Sequence, residues 1–192
     1  MKHLLACGVL LAAAIGAWAA DDGPKTSKEA LQALNDFIGA WKGSGGPDKP
    51  KPSSSDPIWK ENLEWTWKFK GDDAWLVINF KDSKNYKSGE MRYLLDKKVY
   101  QLTLTDKADK KTVFEGPLDT DKNELTLERV DLDTKQTQQV VMNTAAEGVR
   151  FIYRMAHKDE GSSLYHKDFL VQATREGESL GATESKNICV VS

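Results

Sequence analysis

The stretch LNDFIGAWKGSG at residues 34–45 decides the fold, because one hydrophobic periodicity ends in it and another begins after it. Upstream, Leu31, Leu34 and Phe37 or Ile38 recur at steps of three and four residues, which predicts one apolar face of a helix. Thr26 and Glu29 have the spacing of a capping box. We therefore expect a short N-terminal helix just before Trp41.

After a Gly-, Pro-, Lys- and Ser-rich loop at residues 44–57, the apolar period changes to two. Leu63, Trp65, Trp67 and Phe69 alternate with polar residues, and similar runs follow along the chain, separated by turn sequences such as DKAD and DLDTK. Short links between strands indicate antiparallel hairpins. The pattern predicts an all-β domain of about ten strands, as either a two-layer sandwich or an up-and-down barrel.

The residues around Trp41 carry a family resemblance. The tripeptide at residues 39–41, GAW, resembles the G-x-W signature of the lipocalin (calycin) superfamily. A wider pattern is closer to nitrobindin-like and related small bacterial secreted barrels, and its members are Leu31, Leu34, Phe37, Gly39, Trp41, Gly43 and Gly45. The resemblance implies an up-and-down antiparallel β-barrel of about ten strands behind a short helix.

The resemblance also implies that a basic residue of the last strand packs over the signature Trp. Phe169, Val171 and Ala173 share one parity, which predicts their inward orientation, and Arg175 has the same parity. We expect Gly39, Trp41 and Arg175 to form the structural signature, with the guanidinium stacked on the indole. Gly39 is expected to end the helix in a left-handed conformation.

The N-terminal residues predict export. Lys2 and His3 precede an apolar run, which ends in an A-x-A site at residues 17–19. We expect a signal peptide at 1–19, a barrel at 20–181 and a flexible tail at 182–192, in a secreted or periplasmic protein with no membrane span. Loss of Lys2 with the signal peptide changes the net charge from −2 to −3. A mildly acidic protein does not attract nucleic acid, so we expect no nucleic-acid partner. Cys189 in the tail faintly resembles the opening of a Cys-rich metal module.

Strand aromatic residues are the strongest candidates for function. The predicted ligand-binding residues are Trp65, Trp67, Trp75, Tyr100, Phe151 and Tyr153. Pointing inward, they would either line a cavity for a small hydrophobic or amphipathic ligand or simply fill the core, and the sequence leaves both open. The alternatives to a ligand-binding protein are a non-catalytic structural or interaction module and, with less support, a haem-binding protein.

Catalytic and metal chemistry have little support in the sequence. By parity His166 points outward and His157 lies at a strand end, so neither is a predicted haem ligand. Asp119, Asp121 and Asn123 imitate the start of a calcium loop, but a hairpin turn explains them better. Hydrolase motifs are absent, and the acids Glu61, Glu64 and Glu90 are expected on the solvated outer face. We therefore predict no catalytic residue, no metal and no cofactor.

Overall fold

The computed structural model describes residues 23–145 and 147–177. It contains one α-helix, α1 (Ser27–Gln32), one 3-10 turn (Asn35–Phe37) and eleven strands. The strands are β1 (Gly39–Pro47), β2 (Trp59–Lys70), β3 (Asp73–Asp82), β4 (Tyr86–Leu94), β5 (Val99–Asp106), β6 (Lys111–Gly116), β7 (Leu118–Asp119), β8 (Glu124–Val130), β9 (Thr137–Ala145), β10 (Arg150–Lys158) and β11 (His166–Arg175).

The helix begins as the sequence predicts but ends early. The Thr26 hydroxyl accepts a hydrogen bond from the Glu29 amide at 3.0 Å, which caps the first turn. The helix ends at Gln32, and Phe37, the last residue of the 3-10 turn, is buried in the core. The prediction that Gly39 ends the helix is therefore wrong. Gly39 is the first residue of β1, with a φ of +127° that an L side chain rarely adopts.

The strands close into an up-and-down barrel. Strands β1 to β6 form a series of antiparallel neighbours, strands β8 to β11 form a second series, and β11 pairs with β1. The pairing of Glu115 in β6 with Glu128 in β8 completes the circle, while the two-residue β7 is a side branch on β8. This confirms the all-β class and the barrel of ten strands, and closure leaves no long unpaired edge.

Two ends of the barrel are defined by its strands. At the helix end β1 begins with Gly39, and α1 packs against β3 and β4. At the far end β1 finishes with Pro47 and β2 begins with Trp59, on either side of the loop at residues 48–58.

Side chains fill the interior between the two ends. The fully buried residues include Trp41, Trp65, Phe114, Phe151 and Leu102. The space between Leu63, Trp65, Ile78, Met142 and Phe151 at the centre of the barrel does not admit a water molecule. Of the two possibilities that the sequence left open, the structure therefore has the filled core.

Several predictions concern residues outside the described ranges. The signal peptide, the barrel's predicted limit at Gly181, the flexible tail and Cys189 all fall there. No helix in the described part of the chain is long and apolar enough to cross a membrane.

Candidate binding site at the far end of the barrel

The signature residues close the helix end. Trp41 is buried, its indole donates to the Phe37 carbonyl at 2.8 Å, and the Arg175 guanidinium lies 4.4 Å from the ring centre. Arg175 also donates to three backbone carbonyls, those of Asp36 at 2.8 Å, Ile38 at 2.5 Å and Gly148 at 2.9 Å. The stacked pair predicted from the sequence is thus present, and it ties the turn before β1 to the end of β11.

Three of the six predicted ligand-binding residues belong to the packed core near this end. Trp65 and Phe151 pack against Phe37, with ring centres 5.5 and 5.8 Å apart respectively. The Tyr100 hydroxyl donates to the Ala30 carbonyl of α1 at 2.7 Å, and burial raises the pKa of this phenol to about 12. Tyr100 thus holds α1 on the barrel, and Trp65 and Phe151 hold the 3-10 turn.

Two of the six lie outside the closed interior of the barrel. Trp75 lies on the outer face, where the Arg92 guanidinium covers its ring at 4.6 Å. The inward residues of β3 are Ala74, Leu76 and Ile78, so the prediction that Trp75 lines the interior is wrong. Trp67 is half-buried and stacks on the exposed Phe69 with ring centres 5.5 Å apart.

The position of Trp67 follows from the length of β2. Gly39, the first residue of β1, pairs with Trp65, so β2 runs on past the start of its neighbour. Strand alternation still holds for Trp67, but there is no complete barrel wall around it to enclose a ligand. The six residues therefore do not surround one cavity.

The sixth residue, Tyr153, contacts Glu61, which lies on the opposite face of β2 from the one predicted. Its hydroxyl donates to Oε1 of Glu61 at 2.8 Å, while the Trp59 indole donates to Oε2 at 2.8 Å. Glu61 is fully buried, so its prediction as a solvated outer residue is wrong. Its parity is that of Leu63 and Trp65, and this signal would have found it, since all three face inward along β2.

Aromatic rings surround this carboxylate at the far end. Phe169 packs edge-on against both Trp59 and Tyr153, with ring centres 5.7 and 5.9 Å apart, and Phe80 packs on Tyr86 at 5.7 Å. Trp59, Tyr86 and Phe169 are half-buried and not sealed in the core. We call Trp59, Phe80, Tyr86, Tyr153 and Phe169 the aromatic shell.

The phenols of the shell stay protonated at ordinary pH. Burial, followed by the charge of Glu61, raises the pKa of Tyr86 to about 12. The same two causes, with the hydrogen bond to Glu61, raise the pKa of Tyr153 well above its usual value. Glu61 is thus the one buried acidic group of the shell, and both phenols remain neutral donors.

A glycine makes room for Trp59. A Cβ on Gly45 would lie only 2.4 Å from the Trp59 indole, so the ring rests where a side chain on β1 would otherwise be. On the exposed side, the Lys84 ammonium lies 4.9 Å from the centre of a Trp59 ring. The indole therefore contacts a cation at the surface through a ring face and the buried carboxylate through its N–H.

The remaining polar clusters lie outside the barrel. His157 and His166 stack at 5.4 Å, and Nδ1 of His157 is 2.7 Å from a carboxylate oxygen of Asp168. Within residues 23–145 and 147–177, no three His, Cys, Asp or Glu side chains are grouped as a metal site. The Asp119 carboxylate accepts from the amides of Asp121 and Lys122, which makes the predicted hairpin turn.

Fold and site together define a closed ten-stranded antiparallel barrel with a filled interior and a buried carboxylate under aromatic rings at one end. No protein-family model matches the chain, and no curated protein matches it either. Among solved structures, the crystal structure of Rv2717c from M. tuberculosis matches at 16% identity and a TM-score of 0.47, covering 77% of this chain and 97% of that one. A likeness at this level identifies neither a family nor a function.

Proposed function

We propose that the chain is a lipocalin-like protein that binds a small hydrophobic or amphipathic molecule at the far end of the barrel, without catalysis. The observation that supports this is the aromatic shell around Glu61. Binding pockets are mainly apolar and contain a few placed polar groups that fix orientation. The shell supplies apolar ring faces, and Glu61, Tyr86 and Tyr153 supply the polar groups.

The packing of the barrel favours the far end over the interior. The helix end is occupied by α1, Trp41 and Arg175, and the centre admits no water molecule. At the far end, three rings of the shell are half-buried and are reached from solvent without breaking the core. Of the six residues predicted from the sequence, this proposal retains Tyr153 as a ligand contact.

We propose export to the periplasm or outside the cell, on the strength of the signal sequence. The mass of the protein recovered from its natural source tests this. The mature chain is expected to begin at Ala20 or Asp21, and a mass that includes residues 1–19 would contradict it.

The binding proposal is tested with Nile red, a neutral apolar dye that fluoresces when it leaves water. Phe169→Ser removes a shell ring and adds a hydroxyl, so we expect the dye to bind roughly tenfold more weakly, as the apolar contact is lost. Fluorescence titration gives the dissociation constant.

Phe69→Ser is the matched control, because Phe69 is also a partly exposed strand phenylalanine but lies beyond the helix end, next to Trp67. It should leave the dye's affinity unchanged. Equal affinities for the wild type and both variants, or a loss confined to Phe69→Ser, would place binding outside the aromatic shell.

A specific observation favours the second candidate, a protein-interaction module. Three loop residues at the far end are more than two-thirds exposed, namely Ile58 at 75%, Leu132 at 77% and Leu164 at 73%. The three residues lie on separate loops at the same end of the barrel, and a partner that covers these loops would contact all three. If the protein takes up no Nile red, and its triple serine variant at these positions loses a partner that the wild type retains, this second function replaces the first.

A further inference from the structure

Among residues 23–145 and 147–177, no cationic side chain pairs with Glu61. Trp59 and Tyr153 are neutral donors, and each carboxylate oxygen can accept at least one further hydrogen bond. In the described part of the chain, no ion pair reaches Glu61. By contrast, Glu64, three residues along the same strand, faces outward and pairs with Lys81 at 3.0 Å. A fully buried carboxylate without a cation is costly, and a cation brought to it would remove part of that cost.

The rings around Glu61 are also suited to a cation. Aromatic faces attract ammonium groups through their quadrupole, and Trp provides the strongest face. The outer side of the Trp59 ring already holds the Lys84 ammonium at 4.9 Å. The indole N–H at the edge of the same ring points to Glu61, so a positive group bound at the carboxylate would lie next to this ring.

We propose that the molecule bound at the far end is an organic ammonium ion with an apolar body, held by Glu61 and the aromatic shell. The inference rests on the proposed function and adds the chemical class of the ligand. The ammonium N–H groups donate to Glu61, taking the place of the Trp59 indole at Oε2. The apolar body lies against Phe169, Tyr86 and Phe80.

Trp59 is the residue that must move for this to happen. It is the first residue of β2, follows directly on the long loop at 48–58, and is half-buried. Its indole rests on the backbone at Gly45, packs against Phe169, and makes one hydrogen bond, to Glu61. When the indole turns away from Gly45, Oε2 is opened to the ligand, and the ring then covers the ammonium from above.

The alternative is that Glu61 serves only to hold Tyr153 and Trp59 in place. The two roles differ in one respect. A structural carboxylate gives no preference between a charged ligand and a neutral ligand of the same shape, whereas a carboxylate that binds the ligand prefers the cation.

The experiment compares 2-phenylethylamine with 2-phenylethanol as competitors of Nile red at neutral pH and low salt. For the wild type, we expect the amine to bind at least about tenfold more tightly than the alcohol, since hydrogen bonds between two ionised groups are the stronger kind. Glu61→Gln keeps the size of the side chain and should abolish this preference. Glu64→Gln removes a negative charge from the outer face of the same strand and should preserve it. Circular dichroism and thermal unfolding establish that each variant is folded.

The outcomes separate the two proposals. Equal binding of amine and alcohol by the wild type, or a preference that survives in folded Glu61→Gln, overturns the ligand class while the binding of Nile red at the shell still stands. If Phe169→Ser leaves Nile red binding unchanged, the proposed function fails, and the ammonium proposal fails with it. If Glu61→Gln does not fold, Glu61→Met replaces it, since methionine has a similar length and no charge. A preference for the amine that survives in folded Glu61→Met contradicts the proposal.

Discussion

Replacing Arg175 with methionine is expected to lower the free energy of unfolding by about 3 kcal/mol or more. The guanidinium donates to the carbonyls of Asp36, Ile38 and Gly148 and covers Trp41, and methionine keeps much of the length but none of the donors. Each hydrogen bond to a charged group contributes about 1.5–3 kcal/mol, and loss of three that share one group is less than additive. Urea unfolding measures the change, which corresponds to a fall in Tm of roughly 10 °C.

Lys42→Met is the control for charge and length. Lys42 lies on β1 beside Trp41, but its ammonium pairs with Glu176 at the surface, where both side chains are about half exposed. An exposed pair contributes at most about 1 kcal/mol, so this variant should unfold close to the wild type. If Arg175→Met were as stable as Lys42→Met, the closure of the helix end would not depend on the stacked pair.

Adding one methyl group at Gly43 should destabilise the barrel by about 3 kcal/mol. A Cβ there would lie 2.1 Å from the Gln172 carbonyl oxygen and 2.6 Å from the Ala173 Cα, both backbone atoms of β11. Side chains can turn aside, but these atoms can move only if β1 separates from β11, which is one of the pairings that close the barrel. Chemical denaturation of Gly43→Ala gives the value.

Gly46→Ala is the matched control on the same strand. A Cβ at Gly46 has nothing nearer than the Pro57 carbonyl oxygen at 3.8 Å, so the methyl group fits. This variant should be as stable as the wild type or slightly more stable, since alanine restricts the unfolded chain. Two equally stable glycine variants would mean that β1 and β11 are not so close as the structure has them.

The fold was largely predictable from local pattern. Alternation in β2 and β5, turns rich in Asp, Lys and Asn, and the pattern around Trp41 led to a barrel behind a short helix. The contact between Trp41 and Arg175 also followed, because parity along β11 holds from Phe169 to Arg175. These features depend on residues close in sequence or on strand alternation, and both can be read from a single sequence.

The candidate site was less predictable, for two physical reasons. The charge of Glu61 predicts an outer position, although its parity with Leu63 and Trp65 places it inside. A carboxylate is accommodated there because Tyr153 of β10 and Trp59 at the start of β2 donate to it, and the contact with β10 is not visible in local sequence. The aromatic character of Trp75 predicts an inward position. In β3, however, its neighbours Ala74 and Leu76 point inward, so alternation puts Trp75 on the outer face. Whether the interior is filled or hollow depends on how the side chains of all strands pack together, so no local sequence pattern predicts it.

Binding at the far end is tested most directly through the tryptophan indoles. Six tryptophans occur in the sequence, and five of them remain once Trp18 is removed with the signal peptide. Each gives one indole N–H resonance in a ¹H–¹⁵N spectrum, assigned by single substitutions. When Nile red is added, we predict that the Trp59 resonance shifts most, because its N–H bond to Glu61 lies within the aromatic shell. The resonances of Trp41 and Trp75 should stay in place. A largest shift at Trp41, Trp65 or Trp75, with Trp59 unchanged, would contradict binding at the far end.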